Sequence, residues 1–169
     1  MDTMQAILTR RSVRKYTDQP VTPELVETFL RAAMHAPSAI NQQPWQFVVL
    51  DDPALLARIP DVNPYASMAA HAPLGILICG DLSLEKSPDY WVQDCAAATQ
   101  NLLLAVHAHG LGAVWTGIYP RTERVASYRA LLDLPEHIIP FAFIVIGYPA
   151  QEPAPQDRYR AERVHQNKW

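Results

Sequence analysis

The sequence predicts an α/β or α+β domain, with one central sheet covered by helices. Three observations carry this prediction. Four short apolar runs, at 45–50, 74–79, 113–116 and 138–146, read as strands bounded by Gly, Pro and Asp. Helical patterns come first in the chain and then alternate with those runs. The 169 residues are 49% hydrophobic and 18% charged, the makeup of a single globular domain large enough for a core.

The elements follow in order. A short amphipathic run, Met4 to Leu8, precedes a basic cluster. Thr22-Pro23 is a helix start, a hydroxyl cap followed by proline at the first helical position. Leu25, Val26, Phe29, Leu30 and Ala33 form its apolar stripe, and Pro37 stops it near His35. Trp45 to Leu50 is a strand, closed by Asp51-Asp52-Pro53. Asp52 caps a helix over 53–59, and 65–70 forms another turn or two. Leu74 to Cys79 is a buried strand ended by Gly80-Asp81.

Trp91 to His109 is the longest helix. It is apolar nearly all round, which predicts burial on several sides and is consistent with packing against another subunit. Gly110 and Gly112 end it. Ala113 begins a third strand, Thr122 to Leu132 is a helix, and Ile138 to Ile146 is the fourth strand, with Pro140 near its start. Beyond Gly147 the tail is polar and proline-rich.

Composition narrows the function. A net charge of −3 argues against a nucleic-acid surface. Cys79 and Cys95 sit in apolar contexts, as reduced, buried thiols do in the cytosol. The N-terminus lacks the apolar core of a signal peptide, and no run approaches the roughly 20 residues that cross a bilayer. A soluble, cytoplasmic protein is expected. His107 and His109 point apart on a helix, and no Cys-x-x-Cys or His-Glu-x-x-His pattern occurs, so no metal is expected. There is no Gly-x-Gly-x-x-Gly, so a nicotinamide cofactor would be a transient substrate and not a resident of a Rossmann site.

The most informative stretch is Arg10-Arg11-Ser12-Val13-Arg14. Guanidinium forks and a hydroxyl suit phosphate oxygens, although a solvated basic helix end has the same composition. A second segment, Ala36-Pro37-Ser38-Ala39-Ile40-Asn41-Gln42-Gln43-Pro44-Trp45, decides the matter. With Arg10, Ser12, Arg14 and Tyr16 ahead of it, the chain resembles the nitroreductase family of FMN-dependent oxidoreductases. The resemblance continues through Gly110-Leu111-Gly112, Trp115-Thr116-Gly117 and Ile146 to Pro149, and ends at Arg163-Val164-His165.

The resemblance implies an α+β fold of three layers, with a central mixed sheet flanked by helices. It also implies an intertwined homodimer in which residues 1–148 bind FMN and residues 149–169 form an arm crossing to the partner. Arg10, Arg11, Ser12 and Arg14 match contacts to the FMN phosphate and ribityl chain. Pro37, Ser38, Ala39 and Asn41 match a flavin-contacting segment usually supplied by the other subunit. Asn41 suits the polar edge of a flavin ring and equally suits a loop cap. Trp115, Thr116 and Gly117 match the stretch beside the ring, where a backbone N–H reaches the flavin N5. Gly117 allows close approach and is also an ordinary turn residue. Ile118 stands where many relatives have glycine or an acid, which leaves open which amide reaches N5.

Arg158, with Arg160 as second choice, matches a basic position completing the phosphate site, or is a solvated tail charge. Gln156 stands where relatives often carry another cation. Tyr65, Trp91 and Tyr119 are expected at the mouth of the substrate pocket. The implied activity moves reducing equivalents from NADH or NADPH to a nitroaromatic, a quinone or a related small acceptor, by a ping-pong cycle at one pocket. The alternative is a non-enzymatic flavin-binding or interaction protein of the same fold. The isoalloxazine does the redox chemistry in an enzyme of this kind, so no side-chain catalyst is expected.

Overall fold

A computed structural model of the chain describes residues 1–154 and 156–169. Its helices are α1 (Thr3–Thr9), α2 (Pro23–Met34), α3 (Pro53–Leu56), α4 (Ile59–Val62), α5 (Trp91–Ala108) and α6 (Thr122–Leu132). Its strands are β1 (Trp45–Leu50), β2 (Leu74–Asp81), β3 (Gly112–Gly117) and β4 (Ile138–Gly147), in the spatial order β1-β2-β4-β3.

All three strand pairings are antiparallel. The four-stranded sheet is therefore antiparallel and not mixed as expected; an isolated parallel bridge, Ser12 to Ala113, lays the N-terminal segment along the open edge of β3.

The order explains the burial. β2 and β4 are central, so both of their faces are covered and they read as continuous apolar runs. Alternation sends Ile76, Ile78, Ile144 and Ile146 to one face, where they meet Phe29 of α2 and Cys95, Leu102 and Val106 of α5. Leu77, Cys79, Phe143 and Val145 go to the other face, against Leu56, Ile59 and Tyr128 of α3, α4 and α6. The result is three layers, helix on sheet on helix.

Local chemistry sets most boundaries. The Thr22 hydroxyl accepts from the Leu25 amide at the start of α2, and Asp52 does the same for Ala54 at the start of α3. The expected helix over 53–59 is two short ones. Pro60 has no N–H, and its ring crowds the carbonyl four residues back, so the turn breaks and restarts at Ile59. The expected turns at 65–70 are a 3₁₀ stretch, Pro64–His71. Only Gly110 ends α5, in the left-handed region at φ 80°. Gly112 is instead the first residue of β3. Pro140 sits where the β2–β4 register slips between Ile78 and Cys79, so its missing N–H breaks no regular ladder.

Cys79 and Cys95 are free and buried, and burial pushes the Cys79 thiol up to about 12 and raises Cys95 likewise. Among the described residues, no helix is long and apolar enough to cross a membrane.

Candidate functional site

The site begins where the N-terminal segment meets the edge of β3. The Val13 amide donates to the Ala113 carbonyl at 3.0 Å. Tyr16 donates its hydroxyl to the Val13 carbonyl at 2.5 Å and lies 3.1 Å from the Val145 carbonyl. Burial raises the Tyr16 phenol, which keeps it a donor. Val13 is buried directly over Gly112; a Cβ there would lie 2.6 Å from the Val13 Cβ. With Val13 pinned, its neighbours Ser12 and Arg14 are fixed on the outer side.

Arg10, Arg11 and Arg158 line one cavity of about 770 Å³, between α1 and the tail. Burial, then Arg158, then Arg11 hold the Arg10 guanidinium below its ordinary value. His107 is lowered by burial and by the same Arg10 and Arg11. Among the described residues, the one salt bridge is Arg31–Glu27, far from this cluster in sequence. Asp157 also lines the cavity, with its carboxylate accepting from the Tyr159 amide at 3.0 Å. A set of cations with no ion-paired carboxylate is suited to an anion bearing several oxygens.

The three arginines are not equivalent. The Arg11 guanidinium donates to the carbonyls of Leu8 (3.0 Å), Arg10 (2.8 Å), Ala154 (3.4 Å) and Gln156 (3.0 Å). It therefore stitches the tail to the N-terminal segment and has little left to offer a ligand. Gln156 is the tail's second contribution: its side-chain oxygen accepts from Arg158 at 3.3 and 3.2 Å and aims that guanidinium. Arg160 donates to the Tyr159 carbonyl and does not line this cavity.

Arg14 lines a second cavity, of about 440 Å³, with Tyr65, Trp115, Thr116, Gly117 and Arg124. The Thr116 side chain is turned away from it; its hydroxyl is buried and donates to the Phe143 carbonyl at 2.7 Å. Gly117 has open space where a side chain would be.

Its amide is placed by the ladder. Ile118 N donates to the Phe141 carbonyl, and Ala113 offers its carbonyl to Val13 on the opposite edge. Polar groups alternate between edges along an antiparallel strand, so Trp115 and Gly117 turn their N–H groups to the open edge. The Tyr119 amide is occupied, at 3.0 Å from the same Phe141 carbonyl.

Aromatic rings flank this glycine. Trp115 stands edge-on to Phe141 at 5.6 Å, Phe141 to Trp91 at 6.2 Å, and Trp91 to Tyr119 at 4.8 Å. Trp91 is a correction to the expected pocket mouth: it is 5% exposed, seated beneath Tyr119 and against Gly80. Tyr65 is also separated from Trp91 and Tyr119. It lines the Arg14 cavity, under the Arg124 guanidinium at 4.8 Å, whereas Trp91 and Tyr119 line another of about 440 Å³ with Leu82, Asp89 and Ile139.

Pro37, Ser38, Ala39 and Asn41 line neither arginine cavity of their own chain. Their loop is held by two residues that sequence reasoning passed over. The buried Asp94 carboxylate accepts from the Ala39 amide at 2.9 Å and from the Gln42 side chain at 2.7 Å. An acid at the start of a helix apolar nearly all round was the available signal, because such a group is buried only with partners.

Comparison with known proteins identifies the family. The family model described as "Nitroreductase family" matches residues 7–63 and 59–148. A protein of Methanothermobacter thermautotrophicus, provisionally named an NADH dehydrogenase/NAD(P)H nitroreductase, is 51% identical over 169 residues, covering 100% of this chain and 88% of its own. A crystal structure from Parabacteroides distasonis with the same provisional name superposes at a TM-score of 0.95, with 42% identity over 99% of this chain and 98% of that one. A Desulfovibrio desulfuricans structure, described as a provisional nitroreductase in complex with FMN, superposes at 0.83, with 35% identity over 98% of this chain and 96% of that one. With the family model spanning the Arg10–Arg14 and Ala36–Trp45 segments and the edge of β3, this chain belongs to the nitroreductase family.

Proposed function

We propose that the chain is an NAD(P)H-dependent oxidoreductase that carries FMN along the open edge of β3. The observation that carries this is the slot at Gly117, an open backbone edge that shares its cavity with Trp115 and Arg14, on the strand along which the Ser12 bridge lays the arginine-bearing N-terminal segment. Arg10 and Arg158 hold the phosphate, Ser12 the ribityl chain, and Arg14 the polar edge of the ring. The Gly117 N–H is the amide directed at the ring nitrogen. Arg11 ties the tail in place, so that Arg158 reaches the phosphate without conformational search. Bound there, FMN supplies the two-electron chemistry that no side chain of this site provides.

The assembly is a homodimer. Ser38 and Asn41, which match the flavin-contacting segment, stand away from the arginine cavities of their own chain and serve the partner's site. Met4, Leu8 and, in the tail, Val164 and Trp169 are exposed within one chain and are covered in the pair. Residues 149–169 form the arm.

The binding test separates phosphate from ring. Arg10→Ala removes a charge-assisted contact of about 1.5–3 kcal/mol, so FMN affinity falls roughly ten- to a hundredfold. Riboflavin, which lacks the phosphate, binds both proteins alike. In NMR titrations of the wild type, His107 is expected to titrate below the ordinary imidazole value, held down by burial and by Arg10 and Arg11. FMN is expected to raise that midpoint by neutralising Arg10, while riboflavin leaves it in place. Equal losses for both ligands would move Arg10 out of the phosphate site.

The nicotinamide and a nitroaromatic or quinone acceptor use the same space beside Gly117 in turn. Steady-state rates at several fixed acceptor concentrations then give parallel double-reciprocal lines. Intersecting lines would require both to bind together and would reject the shared pocket.

A further inference from the structure

We infer that Asp94, acting with Gln42, is a positioning residue: the pair holds residues 38–43 in the bends that present Ser38 and Asn41 to flavin. The inference rests on the flavin reading above and adds what sets that loop's geometry.

The loop is strained. Ile40, Asn41 and Gln43 have φ of 43°, 55° and 49°, in the left-handed region that disfavours residues with a Cβ. Ile40 is the most costly of the three, being β-branched, and it is 66% exposed, so burial of its side chain does not compensate. Such a conformation persists only where flanking contacts over-determine it.

Those contacts converge on one carboxylate. Asp94 is 4% exposed, in the first turn of α5, where the helix N-terminus favours its charge. Its two oxygens take the Ala39 amide and the Gln42 side-chain amide, one on each side of Ile40 and Asn41. Gln42, 5% exposed, then accepts with its own oxygen from the Lys86 and Ser87 amides at 2.8 and 3.0 Å.

Every bond in this relay involves a specific donor or acceptor, so neither residue can rotate without orphaning a buried group. The relay also connects two places. The 38–43 loop reaches the ring, and residues 86–87 lead directly into Trp91, which supports Tyr119 at the aromatic cavity. The carboxylate on α5 thereby steadies both the loop offered to the partner's flavin and the aromatic cavity of its own chain, while touching neither flavin nor substrate.

Asp94→Asn keeps the shape but faces an NH₂ group toward Gln42 or Ala39, both of which are donors. FMN affinity is expected to fall about tenfold or more. A double-mutant cycle reads positioning directly. Asn41→Ala weakens FMN in the wild type but adds less than about twofold in Asp94→Asn, because the loop is already misplaced. Arg10→Ala, at the phosphate, costs the same in both backgrounds.

Gln42→Met, which breaks the relay while Asp94 keeps the Ala39 amide, is expected to show the same pattern and decides the matter if Asp94→Asn does not fold. Wild-type FMN affinity in these variants, or a loss fully additive with Asn41→Ala, overturns the positioning role. If Arg10→Ala itself leaves FMN binding unchanged, the flavin reading fails and not the relay alone.

Discussion

A chain ending at Pro149 loses FMN: its affinity falls about a hundredfold or more, and the paired subunits separate. The tail has no core of its own, since almost every described residue from Ala154 onward is exposed. It is held by the N-terminal segment instead. Ala150 donates to the Lys15 carbonyl at 2.9 Å, Gln151 accepts from the Arg14 amide at 3.3 Å, and Arg11 takes the Ala154 and Gln156 carbonyls.

Truncation therefore removes Arg158, a contact of about 1.5–3 kcal/mol, and also the partners that hold Arg11 and the Arg14 backbone in place. These losses act on one ligand and compound. Because a flavin shared between two chains favours their association by mass action, the dimer weakens with it. Size-exclusion chromatography with FMN fluorescence titration measures both. A truncated protein that stays a yellow dimer with unchanged affinity would make the tail a passive extension.

Two glycines of β3 are expected to respond to alanine in opposite ways. At Gly112 the added Cβ would lie 2.6 to 2.7 Å from three carbons of Val13, a buried β-branched side chain pinned by the Ala113 and Tyr16 hydrogen bonds. Val13 must move, and Ser12 and Arg14 move with it. Gly112→Ala is expected to lose about 1–3 kcal/mol of stability, as overpacking does, together with FMN affinity.

At Gly117 nothing lies within 4 Å of a Cβ, and the backbone is not left-handed. Gly117→Ala is therefore expected to keep or slightly raise the melting temperature, by reducing the freedom of the unfolded chain. Its methyl nevertheless enters the slot proposed for the ring, and affinity for FMN and riboflavin drops together. Thermal unfolding of the two variants, followed by titration with both ligands, checks the contrast. A Gly117→Ala protein with normal flavin affinity would make Gly117 an ordinary strand-end residue.

Much of this protein is determined by rules that act within a few residues. Thr22-Pro23 starts α2, Asp52 starts α3, Gly110 stops α5, and the apolar runs are strands wherever turn residues bound them. The same local chemistry made Arg10–Arg14 and Ala36–Trp45 legible as a ligand site, because a motif is a short pattern of side-chain types. Even the break of the expected 53–59 helix is local, because Pro60 disrupts the turn that precedes it.

What the tertiary structure decided lies between residues far apart in sequence. That Arg11 donates to the tail depends on carbonyls 143 and 145 positions away. That Gly117, and not Tyr119, has the open amide depends on the register of β3 against β4. Trp91 reads as a surface aromatic until Gly80 and Tyr119 are placed around it. Asp94 reads as one acid on an apolar helix until the Ala39 amide, 55 residues away, is found on its carboxylate. A hydrogen bond or a close packing contact is specified by three-dimensional distance and direction. Composition and spacing encode which groups are able to meet; only the sheet order and the helix layers decide which ones do.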